Sequence, residues 1–242
     1  MEFAVAAGFN ASEEIRAANQ FGKSLRLFTA SQVASATPLD ELQQITQGWA
    51  RSSASVLAGV GSPFSRGFSA VCYFTGRRLA EERGISIGLI DASWGGSHIA
   101  HWVTANATQN CRGPVHHTKL GTTEEWEAPG DMFNAMVVPF TRTPIFGVLF
   151  YQGESDTAGE SKASYQQSLD YACAFEAMIA SWREHWHAQS DTVLEMAFGF
   201  VQLSVWGDRE NNTCGDATTT ADSDSCAVAV VRYGQTANHG FV

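Results

Sequence analysis

Ile145-Phe146-Gly147-Val148-Leu149-Phe150-Tyr151-Gln152-Gly153-Glu154-Ser155-Asp156 decides the fold. Its first half, Ile145 to Tyr151, is apolar and rich in β-branched and aromatic residues, the pattern of a strand buried in a parallel sheet. Its second half turns polar at once and reads as a loop at the strand's carboxyl end, the edge where open α/β sheets hold ligands. The shape recurs earlier. Ile85 to Ile90 runs apolar, then breaks into Asp91-Ala92-Ser93-Trp94-Gly95-Gly96-Ser97-His98. Two strands that each end in a glycine-containing polar loop predict one shared site.

Working outward, 242 residues suit one domain, or one domain with an insertion. A hydrophobic fraction of 44% with 17% charged residues describes a globular chain with a substantial core. The net charge of −10 argues against nucleic-acid backbones and anionic membranes as partners. No apolar run approaches the roughly 18–20 residues of a membrane span. Met1 opens no signal peptide: a basic start, an apolar core and a cleavage site are all missing. Against this, Asn10-Ala11-Ser12, Asn106-Ala107-Thr108 and Asn211-Asn212-Thr213 fit the N-glycosylation acceptor pattern of secreted proteins. Cys214 and Cys226 flank a short acidic loop that a disulfide between them would staple. Cys72 and Cys173 lie in helix-like stretches and read as buried small hydrophobes.

Strands are expected at Leu25–Thr29, Ile85–Ile90, Ile145–Tyr151 and Glu195–Ser204. A short helix is expected from Ser12 through Asn19, headed by early acids. Phe68–Arg83 reads as an amphipathic helix with Phe68, Val71, Cys72 and Leu79 inward, capped by Gly84. Ser164–His187 is the longest helix candidate, with Leu169, Cys173, Met178, Ile179, Trp182 and Trp186 near helical spacing. Residues 30 to 64 read as loop, Ser97–Val103 as a short helix, and 106 to 130 as a surface excursion. Met132–Phe140 and Ala227–Gln235 fit helix or strand. Strand and helix alternate, so the chain is α/β with a mainly parallel sheet and helices on both faces.

Nucleophilic chemistry finds no Gly-x-Ser-x-Gly elbow; Gly67-Phe68-Ser69-Ala70-Val71 lacks the second glycine, and Ser155 sits in the wrong context. Metal chemistry finds no ligand spacing: His185 and His187 point to different sides of a helix, and His116-His117 lies in the irregular excursion. The two loops do provide oxyanion stabilisation. The backbone amides of Gly95 and Gly96 can approach a substrate closely, and the Gln152 amide is a neutral donor at a strand end. Glu154 is an acid beside it that could orient Gln152, bind a sugar hydroxyl or pair with an arginine. Trp94, Gln152 and Glu154 supply the aromatic and polar lining that suits carbohydrate.

These residues carry a resemblance. Gly88-Leu89-Ile90-Asp91-Ala92-Ser93-Trp94-Gly95-Gly96-Ser97 with Ile99-Ala100-His101-Trp102 resembles one block of the sialate O-acetylesterases, and Phe150-Tyr151-Gln152-Gly153-Glu154-Ser155-Asp156 resembles another. Phe200-Val201-Gln202-Leu203 and Val231-Arg232-Tyr233-Gly234-Gln235-Thr236-Ala237 are similar to lesser landmarks. The resemblance implies the SGNH-hydrolase fold, a three-layer α/β/α sandwich. It implies removal of O-acetyl groups from sialic acids without metal or organic cofactor, in a protein of the lysosome or extracellular space. By it Gly96 or Gly95 and Gln152 are oxyanion donors and Glu154 is a site residue without an assigned role; Trp94 and Glu154 are the candidate substrate-binding side chains of the carbohydrate lining. The family's nucleophilic serine would fall two positions before Met1, and its Asp and His in a segment after Val242. The chain is therefore expected to be a domain incomplete at both ends and nearly inactive alone. A non-catalytic glycan-binding protein, or an esterase acting on acetylated polysaccharides such as xylan, are the alternatives.

Overall fold

The structure, a computed structural model, describes residues 1–59, 67–104, 106–111, 129–157, 162–204 and 223–236, with backbone alone at 162–169 and 223–227. Contacts divide the chain into two compact units. Met1–Val33 with Glu41–Gly95 form the first, and Ala34–Asp40 with Gly96–Val242 the second.

The first unit is built on β1 (Leu25–Ala30), whose alternating Leu25 and Leu27 are fully buried. It lies between β2 (Ile45–Arg51), paired antiparallel, and β3 (Ile87–Asp91), paired parallel from Leu25↔Ile87 to Thr29↔Asp91. The parallel pair is reached through α3 (Ala70–Arg83), after α1 (Ala11–Ala17) and α2 (Ala54–Ala58). Ser69 caps α3 by accepting the Cys72 N–H at 3.4 Å. Gly84 ends it with φ 65° and its own N–H on Ala80 O. Val5, Leu25, Leu27, Leu57, Phe68, Tyr73 and Leu89 make one core. Full burial of each large side chain stabilises by about 1.5–3 kcal/mol.

Several expectations are corrected in this unit. Strand β2 and helix α2 lie inside the stretch read as loop. β2 is an edge strand with no buried residue, so it lacks the alternation that marks a half-buried strand. Leu79 does not face inward; it is 40% exposed, and α3 buries Cys72, Tyr73, Gly76 and Ala80 instead. Gly76 makes that face possible because Leu89 of β3 occupies the space its Cβ would need. Ile85 is exposed and precedes β3. Cys72 is a buried free thiol, as expected; burial and then Asp91 push it far above the ordinary thiol range.

The second unit pairs β4 (Gly147–Phe150) in parallel with β5 (Ala197–Phe200). Here too the central stretch is shorter and less buried than read. Only Phe150 of β4 is buried, and Phe146 is 90% exposed. Helix α4 (Lys162–Gln189) packs its aromatic face around Phe150. Phe150 and Phe198 lie with ring centroids 6.0 Å apart, and Trp182 meets each of them edge-on at 6.1 Å. The Trp182 indole donates to Trp102 O at 2.9 Å, so its one polar atom is satisfied. Met132–Phe140 resolves as helical turns, and α5 (Ser223–Gln235) as a helix packed on α4. Cys173 is not a buried hydrophobe: it forms a disulfide with Cys111, 62 residues away. Cys214 lies outside the described residues, and of Cys226 only the backbone is described.

Candidate active site

Gln152 stands where β4 ends. It is 7% exposed, and its carbonyl is held from two sides, by the Tyr171 hydroxyl at 3.3 Å and the Gln235 Nε2 at 3.1 Å. Gln235 also accepts the Leu203 N–H at 3.1 Å, so one α5 side chain ties together the loops that follow β4 and β5. Burial, and after it the Asp156 charge, push the Tyr171 phenol well above its ordinary value, which keeps it a donor. Gly153 follows with φ 129°, a conformation that side-chain-bearing residues rarely take, and it is walled by Leu203, Val231 and Tyr171. This is how a polar loop leaves a strand end sharply enough to turn Gln152 inward.

The Gln152 amide donates to Ser97 O at 3.0 Å and to Asp156 Oδ2 at 2.5 Å. Asp156 Oδ2 also accepts the Ile99 N–H at 3.0 Å, and its Oδ1 lies 3.5 Å from His98 Nδ1. The Ser97 hydroxyl accepts from the Trp102 indole at 2.8 Å. The turn immediately after Gly95-Gly96 therefore meets the loop after β4, and five buried polar residues, Ser97, His98, His101, Gln152 and Asp156, gather around that meeting. His101 pairs separately with Asp131 at 2.9 Å. Gly96 has φ 78°, which glycine adopts at little cost. Glu154 is exposed, and Tyr151 beside it is raised by burial and then by the Glu154 carboxylate.

In the first unit the loop after β3 is pinned by Asp91. Its Oδ1 accepts the Ser93 hydroxyl at 2.7 Å and its Oδ2 the Ser69 N–H at 3.2 Å, at the head of α3. Burial pushes the Asp91 carboxyl up to about 6, against the pull of those two donors. Further along the loop the Gly95 N–H donates to the Glu2 carboxylate. Trp94 is half-buried.

Of the predicted site residues, Trp94 and Gly95 thus belong to the first unit, and Gly96, Gln152 and Glu154 to the second. Asp91, Asp156, Gln235 and Glu2 were not read as site residues. The signal for Asp91 and Asp156 was available, since each sits in or beside a glycine-containing polar loop, but a single carboxylate on a loop has no spacing rule to single it out, and Glu2 carries no such signal. The two helix histidines make local contacts, His185 with Ser181 O at 2.7 Å and His187 with Thr192 O at 3.1 Å.

A polar cluster thus lies at the carboxyl end of a strand in a parallel pair of an α/β protein, the edge at which open α/β sheets hold ligands. A family model described as carbohydrate esterase, sialic acid-specific acetylesterase, matches residues 25–233, and the chain belongs to that family. It is similar to the sialate O-acetylesterase of Mus musculus, 28% identical over 271 residues that take in 100% of this chain and 46% of that protein. The Homo sapiens sialate O-acetylesterase is 30% identical over 249 residues, 100% of this chain and 42% of that protein. In fold it is similar to a carbohydrate acetylesterase from Xanthomonas citri, with a TM-score of 0.72 at 23% identity, over 98% of this chain and 44% of that one. The chain spans a little under half the length of these relatives.

Proposed function

We propose that the protein these residues belong to is a carboxylic-ester hydrolase that removes O-acetyl groups from sialic acids. The observation that carries the reading is the family match across residues 25–233. In the reaction a serine attacks the acetyl carbonyl, a histidine takes its proton and returns it to the sugar oxygen, and an aspartate holds the histidine. None of these three roles is assigned to a residue of this chain. The electrostatic part of the reaction needs N–H donors aimed at the oxygen that becomes negative in the tetrahedral intermediate. Gly96 and Gln152 of the second unit take that role, and Gly95 of the first unit is a donor in its own right. The Gly95 N–H already carries an anionic oxygen, that of Glu2, so it is directed at a negative acceptor. For Gln152 to serve, one of its N–H groups exchanges Ser97 or Asp156 for the substrate oxygen. Trp94 offers an apolar surface for a sugar ring, and Glu154 an acceptor for sugar hydroxyls.

The finer fold we infer is the SGNH-hydrolase three-layer α/β/α sandwich with a mainly parallel sheet; the parallel pairs β1–β3 and β4–β5 support it. A secretory route is supported by the Cys111–Cys173 disulfide, which oxidising compartments maintain. No helix among the described residues is long and apolar enough to cross a membrane. The test is acetate release by the whole protein these residues belong to from O-acetylated sialic acid, with acetylated xylan alongside. Turnover of xylan alone would replace the substrate, and turnover of neither would refute the esterase.

A further inference from the structure

We propose that Asp156 is a positioning residue, whose buried carboxylate sets which way the Gln152 amide points and where the Ser97–Ile99 turn sits. For catalysis this rests on the esterase reading above; for the geometry it does not. The carboxylate is nearly solvent-free, with its side chain 5% exposed. A buried charge persists only where donors surround it. Asp156 has the Ile99 N–H and the Gln152 Nε2 on one oxygen and His98 Nδ1 facing the other. Its own backbone is fixed by a short turn: Asp156 N donates to Gly153 O at 3.1 Å, and Thr157 N and Oγ1 both donate to Glu154 O.

The consequence for Gln152 follows from donor and acceptor counting. A glutamine amide turned the other way would set its Oε1 against Ser97 O and the Asp156 carboxylate, acceptor facing acceptor on both sides. Asp156 excludes that orientation. It also grips the main chain at Ile99, three residues beyond Gly96. One carboxylate oxygen therefore sets both the donor side chain at the end of β4 and the turn that follows the glycine pair. A residue serving only to cap Ile99 would need one neutral acceptor and would leave Gln152 indifferent.

The variants that test this are Asp156→Asn and Asp156→Ala. The Ile99 N–H and the Gln152 Nε2 share Oδ2, so an asparagine carbonyl in that place keeps both, with its NH2 toward His98, whereas alanine keeps neither. In protein with labelled glutamine side chains, hydrogen exchange read by NMR should show the wild-type Gln152 amide protected at least ~100-fold over a free side chain. In D156N the Gln152 amide and the Ile99 backbone amide should both stay protected. In Asp156→Ala both should fall to near the free rate. In the whole protein these residues belong to, D156A should lower kcat for the acetyl ester by about tenfold or more with KM little changed, since a misdirected oxyanion donor acts on the transition state, and D156N should restore most of it. Free exchange of Gln152 in the wild type overturns the proposal without any variant having to fold. So does a D156A protein that keeps Gln152 protected, or keeps kcat within about twofold, and so does a D156N protein that loses Gln152 protection. If the wild-type whole protein hydrolyses no acetyl ester, the esterase reading fails and the exchange measurements still decide the role of Asp156.

Discussion

Replacing Asp91 by asparagine should change the dependence of stability on pH in a defined direction. Asp91 is 4% exposed, and its carboxyl is raised from 3.8 to about 6 in the folded chain, with burial the largest cause. Between those values the folded chain holds a proton that the unfolded chain has released. Stability from this group is therefore complete below about pH 4 and is lost as pH rises through about 6. A shift of about two units is worth about 3 kcal/mol. Asparagine fits the same contacts: its carbonyl accepts the Ser69 N–H, and its NH2 donates to the Ser93 hydroxyl, reversing that bond. The exchange should cost about 1 kcal/mol at low pH. The variant does not titrate, so it should be about 1 kcal/mol less stable than wild type near pH 4 and about 2 kcal/mol more stable near pH 7.5. Urea unfolding of both proteins across that range measures the crossing. Other carboxylates titrate equally in the two chains and cancel. Stability curves that run parallel from acid to neutral pH would show that Asp91 is not held as a buried, half-neutralised acid.

Other substitutions test the packing. Cys111→Ser opens a cross-link between residues 62 apart, which should lower stability by roughly 4 kcal/mol in chain-entropy terms; denaturation with and without reductant checks it, and reductant should close the gap between wild type and variant. Gly153→Ala forces a side chain onto φ 129° with its Cβ 3.0 Å from Leu203 Cδ1 and 3.1 Å from Val231 Cγ1, so a loss of about 1–3 kcal/mol is expected by thermal melting. Gly76→Ala gains about 1 kcal/mol of helix propensity. Its Cβ would nevertheless fall 2.5 Å and 2.7 Å from the two Leu89 methyls, and Leu89 is 7% exposed with nowhere to turn. Overpacking of this kind costs about 1–3 kcal/mol, so a stabilised G76A variant would show that α3 does not press on β3 as described.

Much was legible in the chain before any coordinate. Runs such as Leu25–Thr29 and Ile85–Ile90 announce strands because β-branched and aromatic residues suit a pleated, buried surface. Trp182 and Trp186 announce a helix because a period near 3.6 brings them to one face. Gly84 and Gly153 stand where the backbone takes conformations other residues avoid. These are local properties, carried by neighbours in the chain. Strand β2 escaped because an exposed edge strand is held by main-chain bonds to β1, and main-chain bonds leave no pattern in the side chains. The pairing of Cys111 with Cys173 escaped because it depends on two α-carbons meeting at 5.8 Å across 62 residues. Asp91 and Asp156 are ordinary loop acids in the sequence. What makes each of them matter is the donors folded around it, Ser69 across 22 residues for Asp91 and Ile99 across 57 for Asp156. Composition and periodicity specify elements and the edge at which a site forms; the charge state and partners of a buried acid exist only once distant segments have packed, because burial and hydrogen bonding are properties of the surroundings and not of the residue.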